Sequence, residues 1–346
     1  MKRCPTRPSD TSTWRDIQEI PALLAAFSER APRRLRGCVL KAADDSVHLV
    51  GRGSSDNATL FAKYIWESHA GVRADFVHPH AIFEAARPLD FRGRVVWAYS
   101  QSGRSTDVVA TLKRLMGWGA KGVAVTNEPN LTHNPLARQA DRHILLSSSA
   151  ELSVAATKTF SLQLWLALWT SHLWCGWPTA AELAKTQARL AHYLGRPQDF
   201  PPSGRFAPIW KRLRRASFVT LVARGPFYAV AKDAALKFRE MAGLHATAHS
   251  AADFLHGPVG ACGAQDLVLL LSPSSERDIP DDLLRVRKVL RARGTPHEIL
   301  SPASGRAPLS ALLLDVELKL AALSLAVSKG LDPDQPSGLR KVTKTI

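Results

Sequence analysis

The chain has 346 residues, 45% apolar and 22% charged, with a formal net charge of +16 and a pI of about 10.1. That length supplies two buried cores, and four dispersed cysteines (Cys4, Cys38, Cys175, Cys262) with no CxxC pair exclude a disulfide framework or a zinc cluster. The basic residues are scattered apart from KRLRR at 211–215, without zinc-finger spacing or an aromatic-plus-basic RNA motif, so a generally basic surface and no nucleic-acid partner are expected.

From the N-terminus, MKRCPTRPSDTSTW lacks the apolar core of a signal peptide, which predicts a cytoplasmic protein with reduced thiols. A helical arm, 1–30, contains WRDIQEIPALLAAFSERA. Next come a buried strand, SVHLV, ending in LVGRG at 49–53, a helical stretch, a second strand, VVWAYSQS at 95–102, the helix TDVVATLKRLMGWGA and the strand KGVAVTN. ELSVAATKTF at 151–160 reads as a loop entering a helix. FSLQLWLALWTSHLWCGW at 160–177 is broken by Ser161, Gln163, Thr170, Ser171 and His172, so it reads as a buried or subunit-interface helix and no membrane association is expected. GRPQDFPPSGRFAP, 195–208, is the linker.

Beyond it the pattern returns at an offset of 172 residues, LVARG at 221–225 over LVGRG and LVLLLSPS at 267–274 over VVWAYSQS, followed by PDDLLRVRKVLRARG and TPHEILS. Apolar strands alternating with helices predict an α/β fold of two doubly wound domains with parallel sheets, 31–194 and 209–346. Ligands of such sheets bind beyond the carboxyl ends of the strands.

There lies SQSGRS. A helix starting at Ser105 or Thr106 presents unpaired N–H groups and a partial positive charge. Ser100, Gln101, Ser102 and Ser105 add donors, and Gly103 admits a close backbone approach, so the loop reads as a site for one phosphate. The alternative is a helix cap with a tight turn, for which one serine and one glycine suffice. The second copy, LLLSPSSERD, has Pro273 in place of Gln101, no glycine, and Glu276 where an anion would sit, which predicts a division of labour.

Residues 235–260 concentrate Lys237, Glu240, His245, His249 and His256. Lys237 and Glu240 share a face if helical. His245 and His249 have the spacing of two metal ligands on one helix, but HExxH is absent and His256 falls in an HGP turn, so no metal is expected.

GRGSSDNA, SQSGRSTD, ELSVAATKTF, ALKFRE with HATAHSAADFLHGP, and DPDQPSGLRKVTKT together resemble the tandem sugar-isomerase (SIS) domain family. The family includes the isomerase half of glucosamine-6-phosphate synthase and the SIS-type glucosamine-6-phosphate deaminases. The resemblance implies flavodoxin-like αβα domains without a cofactor. It implies that Ser100, Gln101, Ser102 and Ser105 hold the phosphate of a phosphorylated amino sugar, and that Ser55 and the backbone at Val154 contact the sugar. It further implies that Glu240 moves a proton between C1 and C2 beside Lys237, that His256 opens the ring from a neighbouring subunit of a homodimer with shared active sites, and that Lys341 contacts the open-chain sugar from an ordered tail. Ala156, Arg52 and Thr247 depart from the pattern, where relatives carry serine, cysteine and glutamate. No glutamine-hydrolysing domain precedes these motifs, and AGLHATAHS is similar to the deaminase form, so the ammonia-releasing direction is expected. Galactosamine-6-phosphate, a fructosamine phosphate, or a non-catalytic sugar-phosphate sensor are the alternatives.

Overall fold

Apolar runs too short for helices, each followed by an amphipathic helix, pair side by side as parallel strands. The computed structural model describes residues 4–36, 46–203, 206–273 and 279–341. Its first part runs α1 (Ser12–Gln18), α2 (Ile20–Arg36), β1 (Ser46–Val50), α3 (Ser54–Ile65), β2 (Arg73–Phe76), α4 (Pro79–Phe83), β3 (Val95–Tyr99), α5 (Thr106–Gly117), β4 (Lys121–Thr126), α6 (Pro135–Gln139), β5 (Arg142–Leu145), α7 (Lys158–Cys175) and α8 (Ala180–Leu194). The second runs α9 (Phe206–Leu213), β6 (Phe218–Ala223), α10 (Pro226–Ala242), β7 (His245–Ser250), α11 (Ala251–Leu255), β8 (Asp266–Leu271), α12 (Asp281–Ala292), β9 (His297–Leu300) and α13 (Ala311–Ser328).

Both sheets are wholly parallel, in the orders β2-β1-β3-β4-β5 and β7-β6-β8-β9. The first is the flavodoxin-like order, and the second is the same order without a fifth strand. The repeat extends into the register: His48 lies opposite Asp75 and Val96, and Thr220, at the 172-residue offset, lies opposite Thr247 and Val268. One expectation fails. The stretch 245–250, read as helical from its histidine spacing, is strand β7, the counterpart of β2 at the same offset. His245 and His249 therefore stand four residues apart on an extended chain, about 13 Å, too far to share an ion. Among the described residues no group of three or more His, Cys, Asp or Glu is placed to hold a metal.

Contacts divide the chain into two compact units. The first-sheet unit holds Ala22–Glu151, Lys158–Leu183 and the chain from Arg340; the second-sheet unit holds the chain to Pro21, Leu152–Thr157 and Ala184–Leu339. In the first, Trp66 is fully buried, donates from its indole to the Ala167 carbonyl at 3.0 Å and packs edge-on against Trp97 and Trp174. Helix α7 is buried along nearly its whole length, as expected for 160–177. No helix among the described residues is long and apolar enough to cross a membrane.

In the second-sheet unit the short helix α1 joins two distant segments. Its first three N–H groups need acceptors. Thr11 Oγ1 accepts from Trp14 N at 3.0 Å, and the Asp334 carboxylate accepts from Ser12 N at 2.6 Å, Thr13 N at 2.8 Å and Thr13 Oγ1 at 2.7 Å. Asp334 belongs to the DPDQPSG tail motif, which is thus tied down rather than a loose end. One turn further on, fully buried Asp16 accepts from the N–H groups of Leu152 and Ser153, both at 2.8 Å, and from Ser153 Oγ at 2.9 Å. The far end of that loop is held by Lys319 of α13, which donates to the Thr157 carbonyl at 2.8 Å and to Asp315 at 2.6 Å. Replacing Asp334 by Ala removes the charged cap of α1 and is expected to cost about 1–3 kcal/mol, read as a lower urea midpoint with an unchanged slope.

Candidate active site

In the first-sheet unit the loop after β3 begins at Ser100, whose N–H continues the ladder onto the Val125 carbonyl at 3.0 Å. The Gly103 N–H closes a tight turn on the Ser100 carbonyl at 3.1 Å, and helix α5 starts three residues later. Gly103 has φ of +66°, and a Cβ there would fall 1.9 Å from Asn134 Oδ1. Its missing side chain thus admits Asn134, a packing reason for glycine beside the close backbone approach expected from the sequence. Asn134 is fully buried, accepts from Ala137 N at 3.0 Å, and donates to Thr126 Oγ1 at 2.8 Å and the Glu128 carbonyl at 2.7 Å.

The hydroxyls are not helix caps. Ser105 occupies the N-cap position of α5, yet its side chain makes no capping hydrogen bond; Ser100 Oγ lies 3.1 Å from Ser105 Oγ, and Ser102 Oγ accepts from Arg104 N at 3.2 Å. At this helix start the Val108 N–H donates to Asp107 Oδ1 at 2.9 Å while the N-cap side chain caps nothing, and the three serines around it form a donor set suited to an anion. Gln101 is half-buried and fixed by its carbonyl, which accepts from Asn127 N at 2.8 Å.

Ser55 lies in the first turn of α3, beyond the end of β1, which is β3's neighbour in the sheet. Gln163 of α7 donates to its hydroxyl at 3.0 Å. Gln163 Oε1 and Asn127 Oδ1 are buried acceptors without a partner among the described residues. Between these loops, Arg52 Nε pairs with Asp107 in the first turn of α5; the carboxylate side is 4% exposed and the guanidinium 49%. In the second unit Arg224, at the same offset, pairs with Asp282 in the first turn of α12 at 2.6 Å. There the connection from β8 to α12 is nine residues, against six from β3 to α5. Pro273 lies in it, whereas Ser274 and Glu276, the other residues on which the contrast between the copies rests, fall outside the described residues.

Val154, Lys237, Glu240 and His256 belong to the second-sheet unit. Val154 is half-buried in the loop held by Asp16 and Lys319. Lys237 and Glu240, one turn apart on α10, form an ion pair at 2.5 Å with the lysine 1% and the glutamate 24% exposed. This is not an ordinary surface pair. At the repeat offset Lys237 corresponds to Ile65, also fully buried, so the fold accepts an aliphatic side chain at this step. Burying an ammonium instead carries a desolvation cost that its carboxylate partner offsets.

His256 ends α11, exposed, with its N–H on the Asp253 carbonyl at 3.1 Å. Thr247 sits mid-strand on β7. Burial keeps the His249 imidazole below its usual range, opposed by the nearby Asp253 carboxylate. Lys341 is exposed and is the last described residue of the tail. The structure thus groups Ser55 with the serine loop and joins Lys237 to Glu240, but makes no such link for His256. Asp16, Asn134 and Asp334 went unnoticed in the sequence, and Gln163 stood out only as a polar break in an apolar segment. Each is polar and buried or half-buried, with partners remote in the chain or on backbone groups.

A family model described as SIS domain matches residues 40–170 and 212–300. The glutamine–fructose-6-phosphate aminotransferase (isomerizing) of Aeropyrum pernix is 29% identical over 94% of this chain and 56% of its own length. The chain spans about half the length of the curated relatives it matches. A solved structure from Silicibacter pomeroyi DSS-3, assigned as a phosphosugar isomerase, is 27% identical and superposes with a TM-score of 0.79 over 94% of this chain and 100% of that one. The glucosamine-6-phosphate deaminase of Thermotoga maritima shares the fold, with a TM-score of 0.77 and 22% identity over 96% of this chain and 100% of its own. With its matched regions covering well over half its length, the chain belongs to the SIS domain family.

Proposed function

We propose that the chain comprises two tandem SIS domains forming an amino-sugar-phosphate isomerase that releases ammonia, converting glucosamine-6-phosphate and water into fructose-6-phosphate and ammonia. The observation that carries the phosphate part is the start of α5, where Ser100, Ser102 and Ser105 surround a helix terminus that none of them caps from the N-cap position. The reaction itself rests on the likeness to the synthase and deaminase relatives and on the buried Lys237–Glu240 pair.

In this reading the serine loop and Gln101 hold the 6-phosphate, while Ser55 and the backbone at Val154 orient the sugar. His256, from a neighbouring copy in a homodimer, protonates the ring oxygen as the ring opens. Glu240 takes the C2 proton and returns it to C1, leaving a ketimine at C2. Water adds to that carbon, and the amine leaves as ammonia. The Lys237 ammonium, fixed against Glu240, stabilises the negative charge that develops as the C2 proton departs. Lys341 contacts the open chain. No cofactor enters this chemistry.

The test is to incubate the purified protein with glucosamine-6-phosphate and quantify ammonia and fructose-6-phosphate together. Equal yields of both are expected. Neither product, with tight binding retained, would make the protein a sensor; turnover confined to galactosamine-6-phosphate or a fructosamine phosphate would move the substrate. Glu240→Gln keeps the size and polarity of the side chain but removes the base, so kcat is expected to fall about 100-fold or more with KM little changed. Ser102→Ala deletes one phosphate donor, about 1 kcal/mol or roughly fivefold in KM with kcat preserved.

A further inference from the structure

We propose that the second-sheet unit carries an additional anion site, built from residues the reaction does not use, that takes a small ligand bearing two or three negative charges on clustered oxygens, a phosphomonoester or diphosphate. It lies in a concavity of about 580 Å³ along the edge strand β9. In the first sheet β5 pairs alongside the corresponding strand β4, whereas β9 ends its sheet.

Arg212, from the KRLRR cluster at the end of α9, lines one side, and Arg287 and Arg291 of α12 line another. Glu298 of β9, the carboxylate in the lining, is occupied by Arg212, with Nε to Oε1 at 2.9 Å. Among the described lining residues, three arginines and one glutamate leave a net charge of +2. Arg287 and Arg291 are four residues apart on one helix face, a like-charge arrangement that destabilises a helix unless an anion screens it. Neither guanidinium has a hydrogen-bond or ion-pair partner among the described residues.

Planar guanidinium forks match the paired oxygens of phosphate better than ammonium groups do. His297 also lines the cavity; its Nδ1 lies 2.8 Å from the Thr295 carbonyl, so the proton resides there and Nε2 is left for a ligand O–H or water. The volume is that of a small-molecule pocket. The described lining residues include no Phe, Tyr or Trp on which bases could stack, which disfavours nucleic acid.

The test is calorimetric titration of the full chain with inorganic pyrophosphate at low ionic strength. Saturable binding is expected at one ion per chain beyond any held by the serine loop, with an affinity unchanged by Ser102→Ala and weakened about tenfold or more by Arg287→Gln with Arg291→Gln. Arg285→Gln with Lys288→Gln removes the same charge from the same helix outside the cavity and should change the affinity by about twofold at most. Equal weakening by both double variants, loss of binding in Ser102→Ala, or absence of saturable binding would each overturn the site. So would binding confined to a single-stranded RNA probe. Matching melting temperatures of the variants exclude unfolding as the cause.

Discussion

Each sheet reverses its strand order once, beside its first strand, and the loops leaving the neighbouring strands must part there. In open parallel sheets that parting is where a ligand crevice forms, which here means the carboxyl ends of β1 and β3 and those of β6 and β8. In both copies one guanidinium–carboxylate pair spans that parting. Arg52 or Arg224 leaves the loop after the first strand and meets Asp107 or Asp282 in the opening turn of the helix after the third. The carboxylates are nearly buried, so each needs its arginine. The pair ties the helix start to the neighbouring loop, in the first copy joining the segment that runs from Arg52 into Ser55 to the one that runs from the serines into Asp107.

On this shared frame the copies have diverged. The first keeps a six-residue connection into α5, three serines, and a glycine whose absent side chain seats Asn134. The second lengthens that connection and places a buried lysine and a partly exposed glutamate on α10, where the first has an isoleucine at the lysine step. The second sheet also ends at β9, leaving an edge lined with arginines where the first adds a strand. Phosphate recognition and proton transfer are thus assigned, in the proposed reading, to different halves of one duplication.

Much of the site was legible because its donors are clustered in sequence. Ser100 to Ser105 stand within six residues, and Lys237 and Glu240 sit one helical turn apart, so loop and helix geometry alone bring their atoms together. The supports were hidden because their partners are remote. Asp16 reads as an unremarkable acid on an amphipathic arm, yet it binds backbone N–H groups 136 and 137 residues away. Asp334 lies 322 residues from the Ser12 N–H that it caps. Strand β7 was misread for a related reason: HATAHS carries a helical histidine spacing, and only pairing with β6 supplies the ladder that makes it extended.

Local patterns alone determined the apolar strands, the helices after them, the 172-residue duplication and hence the parallel α/β class, because side-chain period and burial are properties of neighbouring residues. Tertiary structure decided what neighbours cannot: strand order, the strand character of 245–250, the packing of Asn134 against Gly103, and the anchoring of the loop carrying Val154 and of the C-terminal tail on α1. Each of these depends on a hydrogen bond or a steric exclusion between residues far apart in the chain, and such a contact exists only once the sheets have formed.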